Sequence, residues 1–145
     1  MPMITKLNVA SIMVLDKEEA LDFYVSKLGL EKGSDVKQGS YRWLTVRVPT
    51  DPGVEISLEE PGPPLHDEAT AEQIRELVTK GALGGLVFWA DDVKALYEEL
   101  QERGVTDFTQ EPIEHFYGTD MGIRDPFGNA IRVLQRGKVA QKATA

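Results

Sequence analysis

The chain has 145 residues, enough for one compact domain or for two small modules sharing a core. It has no cysteine, which excludes disulfides, zinc–thiolate sites and cysteine nucleophiles together, and its net charge of −8 argues against a nucleic-acid partner, whose phosphates call for a basic face. With 41% hydrophobic residues, no apolar run near the ~20 residues of a membrane span, and a start that goes straight into a strand-like run, it is expected to be a cytoplasmic protein without a membrane partner.

In chain order, Leu7 to Val14 alternates as a strand, with Val9 and Ser11 on one face and Ile12 and Val14 on the other. Asp16 is placed to cap a helix whose first turn carries Glu18 and Glu19, both favourable near the positive end of the helix dipole. Ala20, Leu21, Phe23, Tyr24 and Leu28 recur at helical spacing, and Gly29 closes the helix. Strands follow near Glu31–Val36 and Tyr41–Val48, separated by a turn at Gln38-Gly39-Ser40. After a turn-rich link from Pro49 to Gly53, Glu55, Ser57 and Glu59 alternate against Val54, Ile56 and Leu58. This first module reads β-α-β-β-β.

The Pro-rich stretch Glu60–Asp67 reads as a linker, followed by a short amphipathic helix with Thr70 and Gln73 at capping-box spacing. A second module opens with Leu86 and Phe88 opposing Gly85, Val87 and Trp89. Asp91 or Asp92 can cap a helix carrying Val93, Leu96, Tyr97 and Leu100, closed by Gly104. Phe108 and Thr109 precede a loop through Pro112 and Tyr117. The stretch Gly118–Gln135 then forms a hairpin around Asp125-Pro126-Phe127-Gly128-Asn129. The order is again β-α-β-β-β. Asp16, Ala20, Leu21 and Gly29 recur 75 positions later as Asp91, Ala95, Leu96 and Gly104, an internal repeat.

With these pieces in order (Ala20-Leu21-Asp22-Phe23-Tyr24, Leu28-Gly29-Leu30, Val54-Glu55-Ile56, Arg103-Gly104-Val105 and Asp125-Pro126-Phe127-Gly128-Asn129), the chain resembles the vicinal oxygen chelate superfamily of glyoxalases, bleomycin-resistance proteins and extradiol dioxygenases. The resemblance covers about residues 4–136. It implies an α+β fold in which two tandem βαβββ modules form a curved mixed sheet around a cavity. The domain is then 1–137, with module one at about 4–60, a linker helix at about 68–80 and module two at about 82–136, ahead of a flexible tail at 138–145. A homodimer is also implied.

Metal-using members of that family set one ligand on each of four strands, and these positions fall on Val9, Glu55, Gly85 (or its neighbour Gly84) and Arg132. Only Glu55 is a donor, and a guanidinium repels a cation, so no metal and no cofactor are expected. Glu55 and Arg132 are expected to pair directly, either as a structural relic or as a pair that also touches ligand. Trp43 and Trp89 fall on the same face as Glu55 and Gly85, either as an aromatic wall for a ligand or as core filling. His115 and Tyr117 lie in the loop before the hairpin, at the rim, and are the candidates for any proton transfer.

The resulting expectation is a metal-independent protein binding a cationic or aromatic small molecule through Trp43, Glu55, Trp89, His115, Tyr117 and Arg132. The alternative is a metal-dependent glyoxalase-like lyase, isomerase or dioxygenase with a relocated site, built from Glu55, His115 and either Glu111 or Glu114.

Overall fold

In the computed structural model, residues 2–137 are described; the tail expected at 138–145 lies outside them. The fold is α+β, with two four-stranded mixed sheets and three α-helices. The chain divides between Val78 and Thr79 into two compact units.

The first unit runs β1 (Val9–Met13), α1 (Lys17–Leu21), β2 (Glu31–Gln38), β3 (Tyr41–Val48), β4 (Asp51–Glu59) and α2 (Glu68–Thr79). Its sheet has the order β1-β4-β3-β2, with β1 parallel to β4 and the other pairs antiparallel. The second unit runs β5 (Leu86–Trp89), α3 (Val93–Glu102), β6 (Phe108–His115), β7 (Gly118–Arg124) and β8 (Ala130–Arg136), in the equivalent order β5-β8-β7-β6. The two βαβββ connectivities are therefore identical.

Strand alternation decides what each sheet buries. Ile12, Val14, Leu44, Val46, Ile56 and Leu58 are buried in the first unit together with Ala20, Phe23 and Tyr24 of its first helical segment. In the second unit Met121, Ile123, Ile131 and Val133 are buried along with Val93 and Leu100 of α3. Fully burying each large aliphatic side chain among these contributes roughly 1.5–3 kcal/mol.

The two helical segments differ in a way that explains the repeat offset. Asp16 accepts from the Glu19 N–H and Asp92 from the Ala95 N–H, so Asp92 is the second cap and Asp91 is not. Gly29 and Gly104, both at φ 90°, end the two segments in the left-handed region open to glycine. The first segment is thus one residue longer. A π-helical turn at Asp22–Lys27 absorbs that residue, closing with the Leu28 N–H on the Phe23 carbonyl.

Three local expectations are corrected. Asp67, not Thr70, caps α2: its Oδ1 accepts from the Thr70 N–H at 2.8 Å. The link between β3 and β4 shrinks to Pro49-Thr50, because Val48 already pairs with Asp51. The segment expected as a Pro112 loop is instead strand β6. Proline is tolerated there because β6 is an edge strand with register shifts at Gln110 and Ile113. His115 accordingly ends a strand, and only Phe116 and Tyr117 form the turn into β7.

Candidate functional site

On the face of the first sheet away from α1, β4 presents Glu55, Ser57 and Glu59, β3 presents Tyr41, Trp43, Thr45 and Arg47, and β1 presents Val9 and Ser11. Glu55 lies opposite Val9 in register. Its carboxylate accepts from the Thr45 hydroxyl at 2.8 Å and from Arg47 Nη1 at 3.4 Å. Arg47 also donates from Nε to Glu31 at 2.9 Å, and that carboxylate raises the arginine's pKa. Ser11 and Ser57 share a 2.6 Å hydroxyl contact. Buried Glu59 accepts from the Tyr41 hydroxyl with both oxygens, at 2.8 and 2.9 Å. Trp43 is half-buried and pairs in register with Val36 on β2.

On the face of the second sheet away from α3, alternation sets Val87 and Trp89 of β5 beside Arg132, Leu134 and Arg136 of β8, with Asp120 and Gly122 of β7 beyond. Arg132 Nη2 donates to Asp120 Oδ2 at 2.7 Å and to Gln110 Oε1 at 3.2 Å. The Gln110 amide donates in turn to Asp120 Oδ1 at 2.8 Å, and His115 Nε2 lies 3.4 Å from the same oxygen. Burial pushes the Asp120 carboxyl up, but the Arg132 and Gln110 donors outweigh it and hold it below the ordinary value. The His115 ring stacks on Tyr117, centroids 4.7 Å apart and planes 4° from parallel. Trp89 is 62% exposed, with the Arg136 guanidinium carbon 4.6 Å from its ring centroid.

Gly122 makes this cluster possible. A Cβ there would stand 3.1 Å from Arg132 Nη1 and within overlap of the Thr109 hydroxyl. The bare backbone lets the guanidinium lie across β7 to reach Asp120. Below it, Asp125 ties the hairpin: its Oδ1 accepts from the N–H groups of Phe127, Gly128 and Asn129 at 2.9–3.0 Å.

The sequence-derived residues therefore fall into two groups. Trp43 and Glu55 belong to the first unit; Trp89, His115, Tyr117 and Arg132 belong to the second, where Arg132 and His115 meet at Asp120. Glu55 and Arg132, expected to pair with one another, each find a charge partner within their own unit: Arg47 for Glu55, Asp120 for Arg132. Each charge is thus met from the strand beside it, Glu55 from β3 and Arg132 from β7. Asp120, Gln110 and Arg136 were missed in the sequence reading.

Of the four positions that the resemblance assigns to metal ligands, only Glu55 carries a donor. Val9 and Gly85 offer no donor, Arg132 brings a fixed positive charge, and Glu55 is engaged by Thr45 and Arg47. Such a set does not fit a catalytic metal, which takes about three protein ligands. Among the described residues no group of three His, Cys, Asp or Glu is placed to hold one. Of the alternative ligands, Glu114 pairs with Lys94 and Glu111 accepts from Tyr97, both partners on α3, whereas His115 turns toward Asp120.

Comparison with known proteins gives a consistent picture. The family model described as Glyoxalase/Bleomycin resistance protein/Dioxygenase superfamily matches residues 6–133. The uncharacterized protein YurT of Bacillus subtilis (strain 168) is 37% identical over 132 residues, 90% of this chain and 99% of its own length. The crystal structure of UcmS2 aligns at 40% identity and TM-score 0.85, covering 91% of this chain and 98% of that one. TnmS3, an antibiotic binding protein from Streptomyces sp. CB03234, aligns at 29% identity and TM-score 0.74, covering 94% of this chain and all of its own.

Proposed function

Because the chain belongs to the glyoxalase/bleomycin resistance protein/dioxygenase superfamily, we propose that it binds a small aromatic molecule of the antibiotic class on the second sheet's face away from α3, without a metal ion. One observation carries this reading. Trp89 stands 62% exposed with a guanidinium stacked on its ring, on a face that also exposes Val87. A large indole left in water is costly unless something covers it, and a planar ligand covers it at little entropic cost. Arg132, locked by Asp120 and Gln110, supplies a positioned donor beside it, and His115 with Tyr117 forms a stacked rim.

This face carries two guanidinium groups, Arg132 and Arg136, so the ligand it suits is aromatic with an acceptor or anionic edge rather than a bare cation. The likeness to TnmS3, itself an antibiotic binding protein, supports the ligand class. In this reading the protein acts as a homodimer in the cytoplasm; exposed Val87, Trp89 and Phe116 and the edge strands favour a second copy as part of the cover. Among the described residues no helix is long and apolar enough to cross a membrane.

The test is a thermal-shift screen of the purified protein against planar polycyclic antibiotics and bleomycin, with elemental analysis of the same preparation. A concentration-dependent rise in Tm with at least one compound, in protein free of stoichiometric metal, is expected. Stoichiometric iron, manganese, nickel or zinc would overturn the metal-free reading, and a panel without any shift would overturn the ligand class.

A further inference from the structure

The first unit contains a second concavity, a cavity of about 360 Å³ at the end of its sheet, walled by Asp16, Lys17, Glu18, Tyr41, Arg42, Glu60 and the Pro61–Leu65 segment. It opens beyond Glu59, four residues along β4 from Glu55, or about 13 Å at strand rise. Its wall is pre-formed. The His66 N–H donates to the Gly62 carbonyl at 2.8 Å while the Gly62 N–H donates to His66 Nδ1 at 3.3 Å, closing the Pro-rich segment on itself.

The charges in this cavity are unevenly matched. Arg42 is neutralised, with Nε and Nη2 on the two oxygens of Asp35 at 2.8 and 2.9 Å and Nη1 on Glu18. Lys17 is different. Only 8% of it is exposed, and its ammonium donates to the Arg42 carbonyl at 2.5 Å and lies 5.0 Å from the Tyr41 ring centroid. Among the described residues it has no carboxylate in ion-pairing distance. An ammonium has three N–H donors, and a buried one without a counter-charge is unfavourable. Glu60 is the complement: an exposed carboxylate whose Oε2, among the described residues, accepts only the Lys17 backbone N–H, at 3.2 Å.

We infer that this cavity is a second ligand site, independent of the one proposed above, for a small zwitterion of the α-amino-acid type. The ligand carboxylate meets the Lys17 ammonium, its ammonium group meets Glu60, and an apolar side chain lies against the Tyr41 ring, Pro61 and Leu65. The volume suits a ligand of that size. A purely anionic ligand is disfavoured by Glu60 and by Asp16 and Glu18 at the same wall, and a purely cationic one leaves Lys17 without its counter-charge.

The experiment is amide NMR of the full chain titrated with L-leucine or L-phenylalanine, and with leucinamide and N-acetyl-leucine, which each lack one charge. The expected result is saturable shifts at Lys17, Tyr41 and Gly62 with the free amino acids, and affinity at least roughly tenfold weaker for both single-charge analogues. Glu60→Gln, at an exposed position, should weaken L-leucine and strengthen N-acetyl-leucine, whose carboxylate no longer meets a like charge there; Lys17→Met should weaken L-leucine. If Lys17→Met does not fold, the Glu60→Gln comparison decides alone. Absence of shifts in the cavity with either amino acid, or leucinamide or N-acetyl-leucine binding as tightly as leucine, would overturn the proposal.

Discussion

Arg132 on β8 donates to Asp120 on β7 at 2.7 Å, two strand positions diagonal to its register partner Gly122. This contact fixes the guanidinium that the proposed ligand would meet. Asp120 is largely buried and Arg132 less so, so the pair lies between a surface bridge and a buried one. Arg132→Met should therefore destabilise by about 1–3 kcal/mol, and adding Asp120→Asn should recover part of it. Urea denaturation of the four proteins of this cycle measures the coupling; a coupling of zero would show that the bridge is unformed.

Gly122→Ala tests the close approach directly. The new methyl would crowd both the Thr109 hydroxyl and Arg132 Nη1, so a loss of about 1–2 kcal/mol is expected, partly restored by Thr109→Ala. Equal stability of Gly122→Ala and wild type would mean that Arg132 does not cross the strand there.

Asp125→Ala should be the most damaging single change in the hairpin. Its side chain satisfies three backbone N–H groups and is 2% exposed, so a loss of about 2–4 kcal/mol is expected in chemical denaturation. A loss under about 1 kcal/mol would indicate that water replaces those bonds.

The pH dependence should have opposite signs at the two ends of the scale. Asp120 is held below its ordinary value, so its stabilising contribution is present above the unfolded pKa of about 3.9 and is lost as pH falls through the folded value. The stability gap between wild type and Asp120→Asn should accordingly shrink below about pH 4. Tyr41 is pushed up to about 12 by burial and by the Glu59 carboxylate. Its contribution is complete below the unfolded pKa of about 10 and is lost as pH rises through the folded value. Tyrosinate absorbance of wild type against Tyr41→Phe checks the latter, and a Tyr41 titrating at the ordinary value of about 10 would contradict it.

Much of this architecture was legible in the sequence because it rests on local signals. Alternation in Val54–Glu59 and Ala130–Gln135, the caps at Asp16 and at Asp91 or Asp92, and the glycines at 29 and 104 mark both modules before any contact is known. What was not legible depends on register between strands. Asp120 has Thr119 and Met121 beside it in sequence, and only the β7–β8 pairing shows that it reaches Arg132. Positions carried over from a family likewise name strands, but not the partners on the neighbouring strand: Arg47 for Glu55 and Asp120 for Arg132. Pro112 misled because a proline reads as a loop unless the strand is known to lie at an edge.

Calorimetry on the tightest-binding antibiotic of the screen, comparing wild type with Trp89→Ala, tests the proposed site most directly. Trp89 is exposed, so its removal should leave folding intact. The prediction is an affinity at least roughly tenfold weaker in Trp89→Ala at unchanged Tm without ligand. Equal affinity in the two proteins would contradict the assignment of the ligand to this face.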